Sequence, residues 1–274
     1  MRRPTPSRRP GASRALGILL ASVIALAGAC GGDDGAAGAG DGGSGATSAA
    51  PTGTITVYAA RSLAAAFAEI GARFEEAHTG TTVAFNVAGS SALVAQIQQG
   101  APADVFASAD EPNMERAVTA GLTSATPTVF ARNRLQIAVA RGNPKRIASL
   151  ADLARADVLT VLCAPAVPCG NYARQALTKA GADVTSRSDE QDVAAVVGRI
   201  ANGEADAGIV YVTDVLASPE VDGVEIPAAE NVVAEYPFAA VRGAPNPVGA
   251  SAFLAFVLST EGRAVLAGHG FQPA

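Results

Sequence analysis

Four stretches place small, hydroxylic or glycine-containing turns ahead of helical patterns: Ala59-Ala60-Arg61-Ser62, Ala88-Gly89-Ser90-Ser91, Val167-Pro168-Cys169-Gly170-Asn171 and Glu190-Gln191-Asp192-Val193. The first turn of a helix leaves backbone N–H groups unpaired and carries the positive end of the helix dipole, so each of these turns could hold an anion. Several aimed at one crevice would make an oxyanion cage. Taken singly, each turn is explained as well by ordinary capping and turn chemistry, because Ser and Asp are common N-caps and Gly is the common turn residue. Tyr211, closing the apolar run Ala207-Gly208-Ile209-Val210-Tyr211, reads equally well as a sheet aromatic. Other chemistries are poorly supplied. Two histidines (His78, His269) and three cysteines (Cys30, Cys163, Cys169) do not provide a multi-ligand His/Cys metal cluster. There is no GxSxG, no CxxC, and neither Lys145 nor Lys179 lies three residues after a serine, so an enzyme is not expected.

The elements that must position these turns alternate. A β-branched strand over Thr54 to Ala60 breaks at Arg61-Ser62 into a helix whose Leu63, Phe67, Ile70, Phe74 and Ala77 share a face. The pattern repeats: strands at Thr82 to Val87, Asp104 to Ala107 and Leu135 to Ala140, with helices from Ser91 to Gln99 and Pro112 to Ala120 between them. Further on come a strand at Leu159 to Cys163, helices at Tyr172 to Ala180 and Val193 to Asn202, and a strand at Ala207 to Val212. A strand near Phe238 to Val241 and closing helices over Val248 to Ala267 follow. Strand and helix in alternation predict an α/β fold of mostly parallel sheets covered by helices, and the body is long enough for two such lobes.

The chain has 20 Lys+Arg against 25 Asp+Glu, a net charge of −5. Five of its arginines (Arg2, Arg3, Arg8, Arg9, Arg14) crowd the first fourteen residues, leaving 15 against 25, or −10, beyond them. A body this acidic lacks the electrostatic footprint of a nucleic-acid binder. The basic start and the apolar run from Ala15 to Ala29 read as a signal peptide over residues 1–29. Small residues before Cys30 resemble a bacterial lipobox, so Cys30 is expected to carry the lipid; the alternative is an ordinary signal peptide with a free Cys30. Residues 30–53, rich in Gly, Ala, Asp, Ser and Thr, read as a flexible tether at the outer face of the cytoplasmic membrane, on the cell surface or in the periplasm.

Six phrases taken in order resemble the molybdate-binding protein family of molybdate ABC transporters: Val57-Tyr58-Ala59-Ala60-Arg61-Ser62-Leu63, Ala88-Gly89-Ser90-Ser91-Ala92-Leu93, Gly100 to Asp110, Val167-Pro168-Cys169-Gly170-Asn171-Tyr172-Ala173, Gln191-Asp192-Val193 and Gly208 to Asp214. The resemblance implies a two-lobed type II periplasmic-binding fold with the ligand in the interlobe cleft. Lobe one would be 54–132 plus 235–274, and lobe two 133–234. It implies no enzymatic activity and no cofactor. The expected cargo is molybdate, with tungstate as a related ligand, passed to a membrane permease and its cytoplasmic ATPase by a monomer. The competing reading of the same fold is a binding protein for sulfate, thiosulfate, phosphate or an organic acid.

The family's ligand set falls on Ser62 and Ser90 (hydroxyl and N–H), Cys169 and Val193 (backbone N–H) and the Tyr211 phenol, with Arg61, Ser91 and Gly170 as supporting neighbours. Family members usually carry a small residue where Arg61 stands and often Ala where Cys169 stands. Arg61 would point away from the cleft, or inward to add a charge-assisted bond. With Cys30 given to lipid in an exported protein, Cys163 and Cys169 are expected to form a disulfide around a short loop; the alternative is two buried thiols.

Overall fold

The computed structural model describes residues 50–274; the expected signal peptide, Cys30 and the tether as far as residue 49 lie outside the described residues. Strand β1 (Gly53–Ala60) passes through a 3-10 turn, Arg61–Leu63, into α1 (Ala64–Ala77). After β2 (Thr81–Ala88), α2 (Ser90–Gln98), β3 (Val105–Ala107) and α3 (Glu111–Thr119) comes the long β4 (Thr128–Ala140). A second group follows: β5 (Thr160–Cys163), α4 (Pro168–Ala180), β6 (Asp189–Glu190), α5 (Val193–Ala201), β7 (Ala207–Tyr211), α6 (Val212–Leu216) and β8 (Val221–Glu225). The chain closes with β9 (Val233–Ala240), α7 (Pro247–Leu258), α8 (Thr260–Gly268) and β10 (Gln272–Pro273).

The strand order is β2-β1-β3-β9-β4-β7-β5-β6, with β8 and β10 also pairing β4. β1 is parallel to β2 and β3, and β5 is parallel to β6 and β7, as alternation of strand and helix predicts. Antiparallel pairing along β4 and β9 is an addition to that expectation. β4 changes partners part-way: Thr128 to Arg134 lie against β9, and Leu135 to Val139 against β7. The strand thereby links the two groups, and β9 returns beside it.

Composition explains the layers. In α1, Phe67, Ile70 and Phe74 recur at helical spacing and are buried, and the rings of Phe67 and Phe74 meet Phe130, Phe253 and Phe256 at centroid distances of 5.6–5.9 Å. A separate cluster of Tyr58, Leu93, Val94, Ile97, Phe106 and Met114 fills the opposite face of the same sheet, under α2 and α3. The second group is packed with aliphatics instead, among them Val161, Leu177, Val196, Ile200 and Ile209. Side-chain caps fix several helix starts: Asp110 accepts from Asn113 N at 3.2 Å, Asp192 from Ala195 N at 3.0 Å, and Asn246 from Gly249 N at 2.9 Å.

Most boundaries fall within one residue of the sequence expectation; three strand or helix starts and the residue Val212 are the notable departures. β4 begins at Thr128 rather than Leu135, because Arg132, Asn133 and Arg134 hide its strand character while pairing with β9. β9 begins at Val233, not near Phe238. α4 starts at Pro168, whose missing N–H costs nothing in a first helical turn. Val212, expected in a strand, opens the short α6, which together with β6, β8 and β10 carried no period long enough to read.

Candidate functional site

The strand-to-helix turns converge. Ser62 follows β1, Ser90 opens α2, Cys169 is the second residue of α4, Val193 the first of α5, and Tyr211 the last of β7. All five line one small cavity of about 10 Å³, room for about one water. Ala60, Arg61, Gly89 and Ala109 complete the wall from the first strand group, and Val167, Pro168 and Asp192 from the second. Ser91 and Gly170 stand in the same helix turns without lining the cavity.

Each wall is built by local chemistry. Ser90 is fully buried and its Oγ accepts the Ala109 N–H at 3.0 Å, so its own hydroxyl hydrogen is left to donate elsewhere. The Ser62 hydroxyl is 2.9 Å from Tyr236 Oη, which is also 3.4 Å from the Asn133 amide nitrogen. Asn133 in turn donates to Thr213 Oγ1 at 2.9 Å. Asn133 and Tyr236 lie on β4 and β9, so a buried polar chain runs from the cavity to the linking strands. Sequence reasoning missed these two because a lone Asn or Tyr within a strand carries no periodic signal.

The amides of Cys169 and Val193 occupy first-turn positions, where an N–H has no intrahelical partner. Cys163 and Cys169 form a disulfide with Cα atoms 5.8 Å apart, which ties the end of β5 to the first turn of α4. Gly170 lets that turn lie on β5: a Cβ there would collide with the carbonyl oxygens of Cys163 and Ala164. Across the cavity, a Cβ on Gly89 would stand 2.6 Å from the Gln191 carbonyl oxygen. Glycine is thus what allows the start of α2 to approach the loop before α5.

Arg61 points toward the second strand group. Its Nε donates to Asp192 Oδ2 at 3.3 Å and its Nη2 to the Val87 carbonyl at 2.6 Å. The guanidinium is therefore engaged at the cavity wall by a carboxylate and a carbonyl.

Tyr211 is the informative residue. It is 1% exposed, and its Oη is a buried side-chain polar atom with no hydrogen-bond partner among the described residues. Burial, and then the neighbouring Tyr236, Tyr172, Asp110 and Asp214, push its ionisation well above the ordinary phenol range, so the group remains an O–H donor. Its backbone N–H is held by Asp214 Oδ2 at 2.9 Å. Desolvation pushes the Asp214 carboxyl up to about 7, against the opposing pull of the Tyr211 N–H. A buried donor left unpaired costs free energy unless something else accepts from it. Hydroxyls, unpaired amides and one orphan phenol around a small cavity make a receptor for a compact acceptor-only anion.

The family model for bacterial extracellular solute-binding proteins matches residues 55–272. The chain belongs to that family. Within it, the chain is 42% identical over 219 residues to the molybdate-binding protein ModA of Mycobacterium tuberculosis, covering 80% of this chain and 84% of that protein. Among solved structures, the periplasmic molybdate-binding protein of Azotobacter vinelandii superposes with a TM-score of 0.72 at 20% identity, over 80% of this chain and 99% of that one. The sulfate-binding protein SubI of M. tuberculosis gives 0.71 at 20% identity, over 81% and 87%. The two structures establish the periplasmic-binding fold and are too alike in score to separate their ligands. Relatives in this family are solute-binding proteins.

Proposed function

We propose that the protein is the exported substrate-binding component of a molybdate ABC importer, with tungstate as a second ligand of the same shape and charge. The observation that carries the reading is the orphan Oη of Tyr211, a residue that lines the cavity where Ser62, Ser90 and the helix starts at Cys169 and Val193 meet. The 42% identity to a molybdate-binding protein supports the choice of anion.

Selectivity follows from the donor inventory. Phosphate near neutral pH keeps a proton that needs an acceptor, and the carboxylate in the wall, Asp192, is already taken up by Arg61 Nε and the Ala195 N–H. Molybdate and tungstate are bare tetrahedral dianions, as sulfate is; sulfate differs in its shorter bonds to oxygen, so fit separates it. Residues 54–132 with 235–274, and 133–234, are the two lobes in this reading, which the change of partners between Arg134 and Leu135 in β4 supports. The lobes close on the ion, and the closed form is what the permease and its ATPase receive. Cys30 tethers the monomeric protein to the membrane; membrane retention of the wild type and release of Cys30→Ala check that anchor.

A thermal-shift and calorimetry panel with molybdate, tungstate, sulfate and phosphate tests the assignment. Molybdate and tungstate are expected to raise the melting temperature and phosphate to leave it unmoved, since only a ligand of the native state stabilises it. A response to sulfate or phosphate with none to molybdate would overturn it.

A further inference from the structure

Arg61 and Asp192 are the only basic and the only acidic residue in the cavity wall, they are 131 residues apart, and they pair across it. Asp192 stands immediately before Val193, whose N–H is in the proposed donor set, and its other oxygen caps α5 through Ala195 N at 3.0 Å. A carboxylate at that place repels an incoming dianion and offsets the attraction of the helix N-terminus. Arg61 sits next to Ser62 and is fixed from its far side by the Val87 carbonyl at 2.6 Å, at the end of β2. The guanidinium thus occupies a position that both cancels the Asp192 charge and ties the β1–β2 side of the cavity to the start of α5.

We propose that Arg61 is a positioning residue that latches the two sides of the site: it neutralises Asp192 and slows release of the bound oxyanion. The inference rests on the molybdate reading. The latch acts on the closed form, so it lowers the dissociation rate more than it raises the association rate. It also accounts for a half-buried carboxylate beside an anion site, which would otherwise be a defect. A pair with side chains 36% and 19% exposed remains within reach of salt, so retention weakens as ionic strength rises.

The test is stopped-flow and calorimetric measurement of molybdate binding to the wild type, Arg61→Ala, Asp192→Asn and the double variant, with Arg61→Lys as the conservative control. Failure of the wild type to bind molybdate would refute the underlying function and would be seen before any variant is compared. With the wild type binding, Arg61→Ala is expected to raise the dissociation rate at least tenfold with a smaller fall in the association rate. Adding Asp192→Asn should recover part of that loss, because it removes the carboxylate left bare. Arg61→Lys should fall between wild type and Arg61→Ala. A role in packing alone predicts no recovery from Asp192→Asn. An unchanged dissociation rate in Arg61→Ala, or a double variant no better than it, overturns the latch; should Arg61→Ala not fold, Arg61→Gln is read by the same criteria.

Discussion

Tyr211 separates stability from binding more cleanly than any other residue of the site. Its hydroxyl is buried and unpaired, so Tyr211→Phe removes an unmet donor and should leave the unliganded fold as stable or slightly more so. The same change should weaken molybdate binding by about 1–3 kcal/mol, the cost of a bound oxygen losing a buried donor. Calorimetry and thermal melts on the same variant check both halves, and an unchanged affinity would remove the phenol from the site. That Ser62, Ser90, Cys169, Val193 and Tyr211 share one cavity was legible through the order of six motifs and not through periodicity. Asn133 and Tyr236 were not, because their roles depend on strands that only the folded chain brings together. Ala109 was also missed: it contributes an amide to Ser90, and an alanine amide leaves no mark in a sequence.

At the level of elements, the disulfide between β5 and α4 does two kinds of work. Closing a loop with a sequence separation of 6 stabilises the fold by about 2 kcal/mol on chain-entropy grounds. The larger effect expected is on the site, since the bridge fixes the turn that presents the Cys169 N–H. A Cys163→Ala/Cys169→Ala variant, or the reduced wild type, should bind molybdate several-fold more weakly while keeping a cooperative melt. Equal affinity in oxidised and reduced protein would show that the turn is held by packing alone. The helices α1, α2, α3 and α5 were readable from apolar spacing and caps. β6, β8 and β10 were not, being short pairings whose stability comes from β4 or β5 rather than from their own sequence.

For the molecule as a whole, the hidden element was the front half of β4. Arg132-Asn133-Arg134 looks like a surface loop in one dimension, yet Asn133 is fully buried, satisfied by Thr213 and Tyr236. Polar residues in a strand interior are tolerated there because their partners come from β9 and from the start of α6. The overall α/β architecture was legible because strand and helix alternate; the antiparallel seam was not, since nothing local distinguishes a strand that changes partners. The donor cage carries one further consequence. Arg61 is already matched by Asp192, and the remaining wall is electrically neutral, so a captured dianion brings its whole charge with it. Full and empty carriers therefore differ by two elementary charges on a body whose formal balance beyond the first fourteen residues is −10, and cargo is written into the long-range field of the protein as well as into its shape.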